Sequence, residues 1–133
     1  AALDERIAAV VSVCGWSPLR GLDERIVDNL TQSYNYPRLR PYAEEGRPLP
    51  IDLDHVAALI APRPFLDLRA AEDPYFPNRR EIDQSATSIE AVYQLHGAAD
   101  RFKTCWFPGG HAHGPAAARE SQAWFYRWLW SAG

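Results

Sequence analysis

The sequence contains no methionine, only two cysteines, no basic cluster beyond Arg79-Arg80, and no apolar run approaching the roughly 18 residues that a membrane-spanning helix needs. Each absence removes a class of protein. Cys14 and Cys105 are too few and too far apart for a disulfide framework or a zinc ribbon. A net charge of −3 without a basic patch argues against an electrostatic grip on nucleic acid. Nothing predicts a helix across a membrane. No targeting segment opens the chain, which favours the cytoplasm. The missing methionine includes position 1, and the opening "AALDERIAAVV" reads as the end of a helix running into a strand. The expectation is a longer protein that has lost its N-terminal part, by processing, by truncation of the gene or by choice of ends.

What is present is an ordinary globular mix: 133 residues, 47% hydrophobic and 23% charged, enough for one domain with a modest core. "RIAAVVSVCG" (6–15) is a continuous apolar run closed by glycine, which suits a strand buried on both faces of a parallel sheet. Residues 16–52, rich in proline and tyrosine, read as an irregular excursion with a short helix around "DERIVDNLTQSY". Asp52 or Asp54 can cap a short helix that Pro62 ends. "RPFLDLRAAEDP" (63–74) is a second strand and "RFKTCWFPGG" (101–110) a third. Between them lies a helix with Asn78 as N-cap, Glu81 completing a capping-box-like start, a stripe of Ile82, Ala86, Ile89 and Tyr93, and Gly97 as its stop. A last helix starts at Pro115, with Trp124, Trp128 and Leu129 expected on the sheet.

Strands separated by helices imply parallel pairing with right-handed crossovers, so the fold class is α/β. In such sheets functional groups gather at the carboxyl ends of strands. Three places qualify: Cys14-Gly15, Glu72-Asp73 and Gly110-His111. Asp73 and His111 follow successive strands. If those strands are neighbours, the carboxylate can accept the imidazole Nδ1–H, fix the tautomer and leave Nε2 free to act as a base. That is the acid–base half of a nucleophilic triad.

The stretches "ALIAPRPFLDLRAAEDPYFP" and "GAADRFKTCWFPGGHAHGP" resemble the C-terminal half of α/β-hydrolases, nearest to the dienelactone hydrolase-like, acetyl xylan esterase-like and prolyl oligopeptidase-like branch. The shared features are the "APRP" lead into a strand, the strand-end "EDP.FP", the "GA.DR" step and the "GGH" before the final helix. The resemblance covers nearly the whole chain, residues 16–52 only loosely. It implies a partial α/β-hydrolase fold of three parallel strands flanked by helices, with residues 1–133 the C-terminal part of one domain and 16–52 a lid or irregular insertion. It puts Asp73 on the catalytic acid and His111 on the catalytic base. His113 receives no role. The family's serine sits in G-x-S-x-G, on a strand-to-helix elbow. Ser12, Ser17, Ser33, Ser85, Ser88, Ser121 and Ser131 all lack those flanking glycines.

Other readings compete at each position. His111 could be an unpartnered loop histidine, or could join His113 as a metal ligand, but the spacing of His55 and His96 supplies no third ligand. Asp73 could serve only turn chemistry, and Glu72 is its local rival. Asp67, mid-strand, is either solvent-facing on an edge or a functional oddity. The order Cys14, Asp73, His111 matches nucleophile, acid, base, but Ser12 stands where an elbow wants glycine, and a strand-end thiol is more often a small buried hydrophobe. By the resemblance Cys14 borders the site without attacking.

The expectation is a C-terminal fragment of a serine-type carboxylic-ester hydrolase, with a small-molecule ester as the parent's substrate, no metal and no cofactor. Its partner is a missing N-terminal half or further copies in a homo-oligomer. The alternative is a non-catalytic module or assembly subunit that completes its sheet with another chain.

Overall fold

The computed structural model describes residues 1–31 and 35–130. Three strands, β1 (Val10–Val13), β2 (Phe65–Ala70) and β3 (Phe102–Phe107), form one parallel sheet in the order β1-β2-β3. Helix α1 (Glu24–Leu30), helix α2 (Arg40–Glu44) and helix α3 (Leu53–Ala58) fall between β1 and β2. Helix α4 (Arg79–Leu95) joins β2 to β3, and helix α5 (Pro115–Phe125) follows β3.

Side chains alternate across a strand, so each strand feeds two cores. On one face Phe65 and Phe102 meet Ala57 and Ile60 of the α3 region and Ile89 and Tyr93 of α4. On the other, Leu66 and Leu68 meet Ala117 and Trp124 of α5. The sheet is therefore the middle of three layers. All six residues of β2 are buried, the charged Asp67 and Arg69 included. Tyr93 stacks on Phe102 and donates its hydroxyl to the Arg63 carbonyl at 2.6 Å, so the one polar atom of that buried ring is satisfied.

Several expectations need correction. Residues 1–9 form turns rather than a helix end, because the Arg63 guanidinium takes the carbonyls of Ala1, Asp4 and Ile7 that a helix would use internally. The excursion is more regular than expected: α1 is capped by Asp23, and a short 3-10 turn, Pro37–Leu39, leads into α2. Residues 32–34, the end of the expected helix, lie outside the described residues. Asp52 caps α3, with His55 closing the capping box. Asn78 precedes α4 but makes no side-chain cap bond. Its amide instead donates to the carbonyls of Pro18 and Arg20, and its oxygen accepts from Ser17. Leu129 is 49% exposed rather than on the sheet. Residues Tyr126–Trp130 form a π-helical turn, wider than an α-turn, in which Trp128 packs against the core while Leu129 faces outward.

Asp67 is neither on an edge nor solvent-facing. It lies on the central strand, 1% exposed, and accepts from Arg69 at 2.7 Å. The two residues are two apart on a strand and so share a face. Arg69 also packs over the Trp16 ring at 4.3 Å and donates to the Trp16 carbonyl. Burial pushes the Asp67 carboxyl up to about 6, against the pull of Arg69.

Candidate active site

The register pairs Ala70 with Phe107, so β2 and β3 end level. Two backbone bonds continue the ladder past the strands, Ala71 N–H to Phe107 and Glu72 N–H to Gly109. Gly109 turns the chain there with φ +106°, a conformation costly for a residue with a side chain. Asp73 and His111 follow at once, at the same carboxyl edge.

They meet. His111 Nδ1 lies 2.8 Å from Asp73 Oδ2. The carboxylate can only accept, so Nδ1 donates and the lone pair of the neutral ring sits on Nε2. Asp73 is held from its other side: Oδ1 accepts from the amides of Tyr75 at 2.9 Å and Phe76 at 3.3 Å. The Asp-Pro turn that could have been the residue's whole purpose is thus also its anchor. The carboxylate side chain is 3% exposed and the imidazole 38%, an arrangement with a buried acid and an accessible ring. Tyr75 and Phe76 flank that ring edge-on, with centroids at 4.9 and 5.8 Å.

The third strand end joins them. Cys14 follows Val13, donates its N–H to the Leu68 carbonyl, and has φ +48°. Ligand-type atoms of Cys14, Asp73 and His111 all lie within 4.8 Å of one another. Burial pushes the Cys14 thiol up, and the Asp73 charge adds to this, the reverse of an activated nucleophile. Glu72 is exposed, and only its backbone takes part. His113 is exposed and outside the cluster.

A cavity of about 680 Å³ opens on His111. Its walls are Ile26, Asn29 and Leu30 of α1 and the Pro74–Phe76 turn. Sequence reasoning missed Tyr75 and Phe76; the α1 wall falls within residues 16–52, read as a lid or irregular insertion. The proline- and aromatic-rich "EDPYFP" was the available signal for the first two. A second cleft, about 690 Å³ and largely apolar, lies beside β1 and α3 and shares no lining residue with the first.

The root of the excursion is fixed to the helices behind the sheet. Arg20 pairs with Asp52 at 3.0 Å and Asp54 at 2.6 Å and donates to Ser85 at 2.8 Å. With the Asn78 bonds, this ties the exit of β1 to α3 and α4 and explains why Asn78 is diverted from capping.

No protein-family profile matches the sequence. Among solved structures, a promiscuous CE15 esterase from a marine bacterial metagenome matches with TM-score 0.80 at 21% identity, covering 96% of this chain and 38% of that one. The carbohydrate esterase family 15 glucuronoyl esterase of Caldicellulosiruptor kristjansonii matches with TM-score 0.75 at 22% identity and the same coverages. The glucuronoyl esterase catalytic domain of Hypocrea jecorina gives 0.71 at 17% identity, over 99% of this chain and 40% of that one. These residues form part of an α/β-hydrolase fold. The expected fold class is therefore correct, including three parallel strands between helices. By sequence the chain is 27% identical over 132 residues to YtaP, a hydrolase by designation, from Bacillus subtilis (strain 168). It spans 40% of that relative's length. In this partial α/β-hydrolase fold, β1 is an edge strand. Val10 and Cys14 donate inward to β2, so by alternation the Val11 and Val13 amides face the open side.

Proposed function

We propose that this chain carries the general base, His111, and its orienting acid, Asp73, of a serine-type carboxylic-ester hydrolase, and that the attacking serine comes from outside these residues. On this reading residues 1–133 are the C-terminal part of one hydrolase domain, and α1 belongs to a cover over the substrate. The observation that carries it is the 2.8 Å bond between a half-exposed imidazole and a buried, doubly anchored carboxylate at neighbouring strand ends.

The chemistry follows from the tautomer. Nε2 takes the serine proton as the hydroxyl oxygen attacks the ester carbonyl. Asp73 stabilises the imidazolium that forms, and the same proton then passes to the departing alcohol. Water repeats the cycle on the acyl-enzyme. The cavity beside His111 is where the ester would lie. The likeness to glucuronoyl esterases supports a sugar-containing ester as the substrate class.

A fluorophosphonate probe, which labels activated serines, should leave the isolated chain unlabelled. Stoichiometric labelling would sink the proposal. Supplied with the serine-bearing part of a related hydrolase, the chain should restore labelling on that serine. The open edge of β1 favours a second reading, a non-catalytic assembly subunit. It predicts a stable inactive oligomer, and a well-folded monomer in native mass spectrometry would count against it.

A further inference from the structure

We propose that Cys14, Asp73 and His111 form a three-ligand site for a borderline-soft divalent cation, zinc(II) above all. Their sulfur, carboxylate oxygen and imidazole nitrogen lie within 4.8 Å of one another and come from three adjacent strand ends. Zinc–ligand bonds of about 2.0–2.3 Å place tetrahedral ligands roughly 3.3–3.8 Å apart; the longest separations here, up to 4.8 Å, would shorten and the 2.8 Å Asp73–His111 pair would widen. A thiolate beside an imidazole selects zinc-like metals over calcium or magnesium, which take oxygen ligands. Three protein ligands leave a fourth position for water.

The groups are already aimed. Asp73 Oδ1 is occupied by the Tyr75 and Phe76 amides, so Oδ2, which accepts from His111 Nδ1 in the metal-free chain, is the oxygen that can ligate. The imidazole is flanked by the Tyr75 and Phe76 rings. Such outer contacts hold metal ligands in orientation. Cys14 is the only non-glycine residue with positive φ among the described residues, a conformation that costs about 1–2 kcal/mol for a residue with a side chain. That strained residue is the one that brings a thiol to the other two groups. The cavity opens on His111, the most exposed of the three groups.

On binding, the cation accepts lone pairs from Sγ, Oδ2 and one ring nitrogen. The thiol proton leaves to solvent, the imidazole proton moves by way of solvent from Nδ1 to Nε2 so that Nδ1 can ligate, and the Asp73–His111 hydrogen bond is broken. Metal occupancy and base catalysis therefore exclude each other. The site itself does not rest on the hydrolase reading, since three side chains define it.

The test uses the reduced, metal-stripped chain, titrated with zinc(II) against a chelator and with cobalt(II) followed by absorption, circular dichroism confirming that each variant is folded. The expected result is one zinc per chain and a near-ultraviolet thiolate-to-cobalt charge-transfer band. Cys14→Ser should abolish the band, and both it and His111→Ala should weaken zinc by about 10-fold or more. Cys105→Ser and His113→Ala should leave binding unchanged. No zinc binding, or binding of unchanged affinity in Cys14→Ser and His111→Ala, would overturn the proposal. His111 is half exposed, so its variant reports even if Cys14→Ser fails to fold.

Discussion

Asp67 and Arg69 set the sharpest energetic condition on single residues in this fold. Arg69 Nη2 is buried without a hydrogen-bond partner among the described residues, so the pair is only partly satisfied. Such burial shifts the balance of the Asp67 carboxyl toward its neutral form. Its pKa is raised from 3.8 to about 6 by burial, so the folded state holds a proton that the unfolded state has released. The resulting stabilisation is fully present below about pH 3.8 and is lost as pH rises through about 6. Arg69 tolerates a neutral partner because the Trp16 ring and carbonyl still hold it. Urea denaturation should show that Asp67→Asn removes a pH-dependent component on the order of 2 kcal/mol between pH 4 and 7. Identical pH dependence in both proteins would refute this. The sequence alone could not reveal this role, because edge and centre differ only once strand order is known. Asp73 and His111 were legible, since the Asp-Pro and Gly-Gly-His motifs mark strand ends whatever the order. Cys14's approach to them depended on a left-handed turn that no residue preference announces.

At the scale of elements, α4 was the easiest to read. Its stripe is buried as the helical period requires, with Ile82, Ile89 and Tyr93 at 2% exposure or less. Ile89→Ala should cost about 2–5 kcal/mol in denaturation, whereas Leu129→Ala should cost under about 0.5 kcal/mol because its side chain is half exposed. Equal effects would contradict the outward placement of Leu129. That turn escaped the sequence reading because residues 124–130 are all apolar or aromatic except Arg127, so no pattern marks which side faces out. The diverted Asn78 escaped for a different reason. Its partners Pro18 and Arg20 are 60 and 58 residues away, and a capping rule sees only neighbours. The β1 edge offers a further test. Val11→Pro removes an amide that faces outward, so it should spare the chain's own fold and abolish assembly with a serine-bearing part. Complementation at full strength by a folded Val11→Pro chain would refute pairing at that edge.

At the scale of the molecule, the α-β-α order specified the three layers, because parallel strands need crossovers and crossovers cover faces. What the order could not specify is what lies beyond β1. Sheets with helices on both faces bury their central strands, and β1 is only partly buried while β2 is fully so. The account therefore predicts that activity belongs to an assembly in which β1 gains a neighbour bearing the serine. The most direct measurement replaces the matching stretch of YtaP with these residues and follows aryl-ester hydrolysis. The account predicts an active chimera whose kcat/KM falls about 10³–10⁴-fold on His111→Ala or Asp73→Asn, with both variants still folded. An active chimera that keeps its rate within a few-fold after either substitution would contradict it.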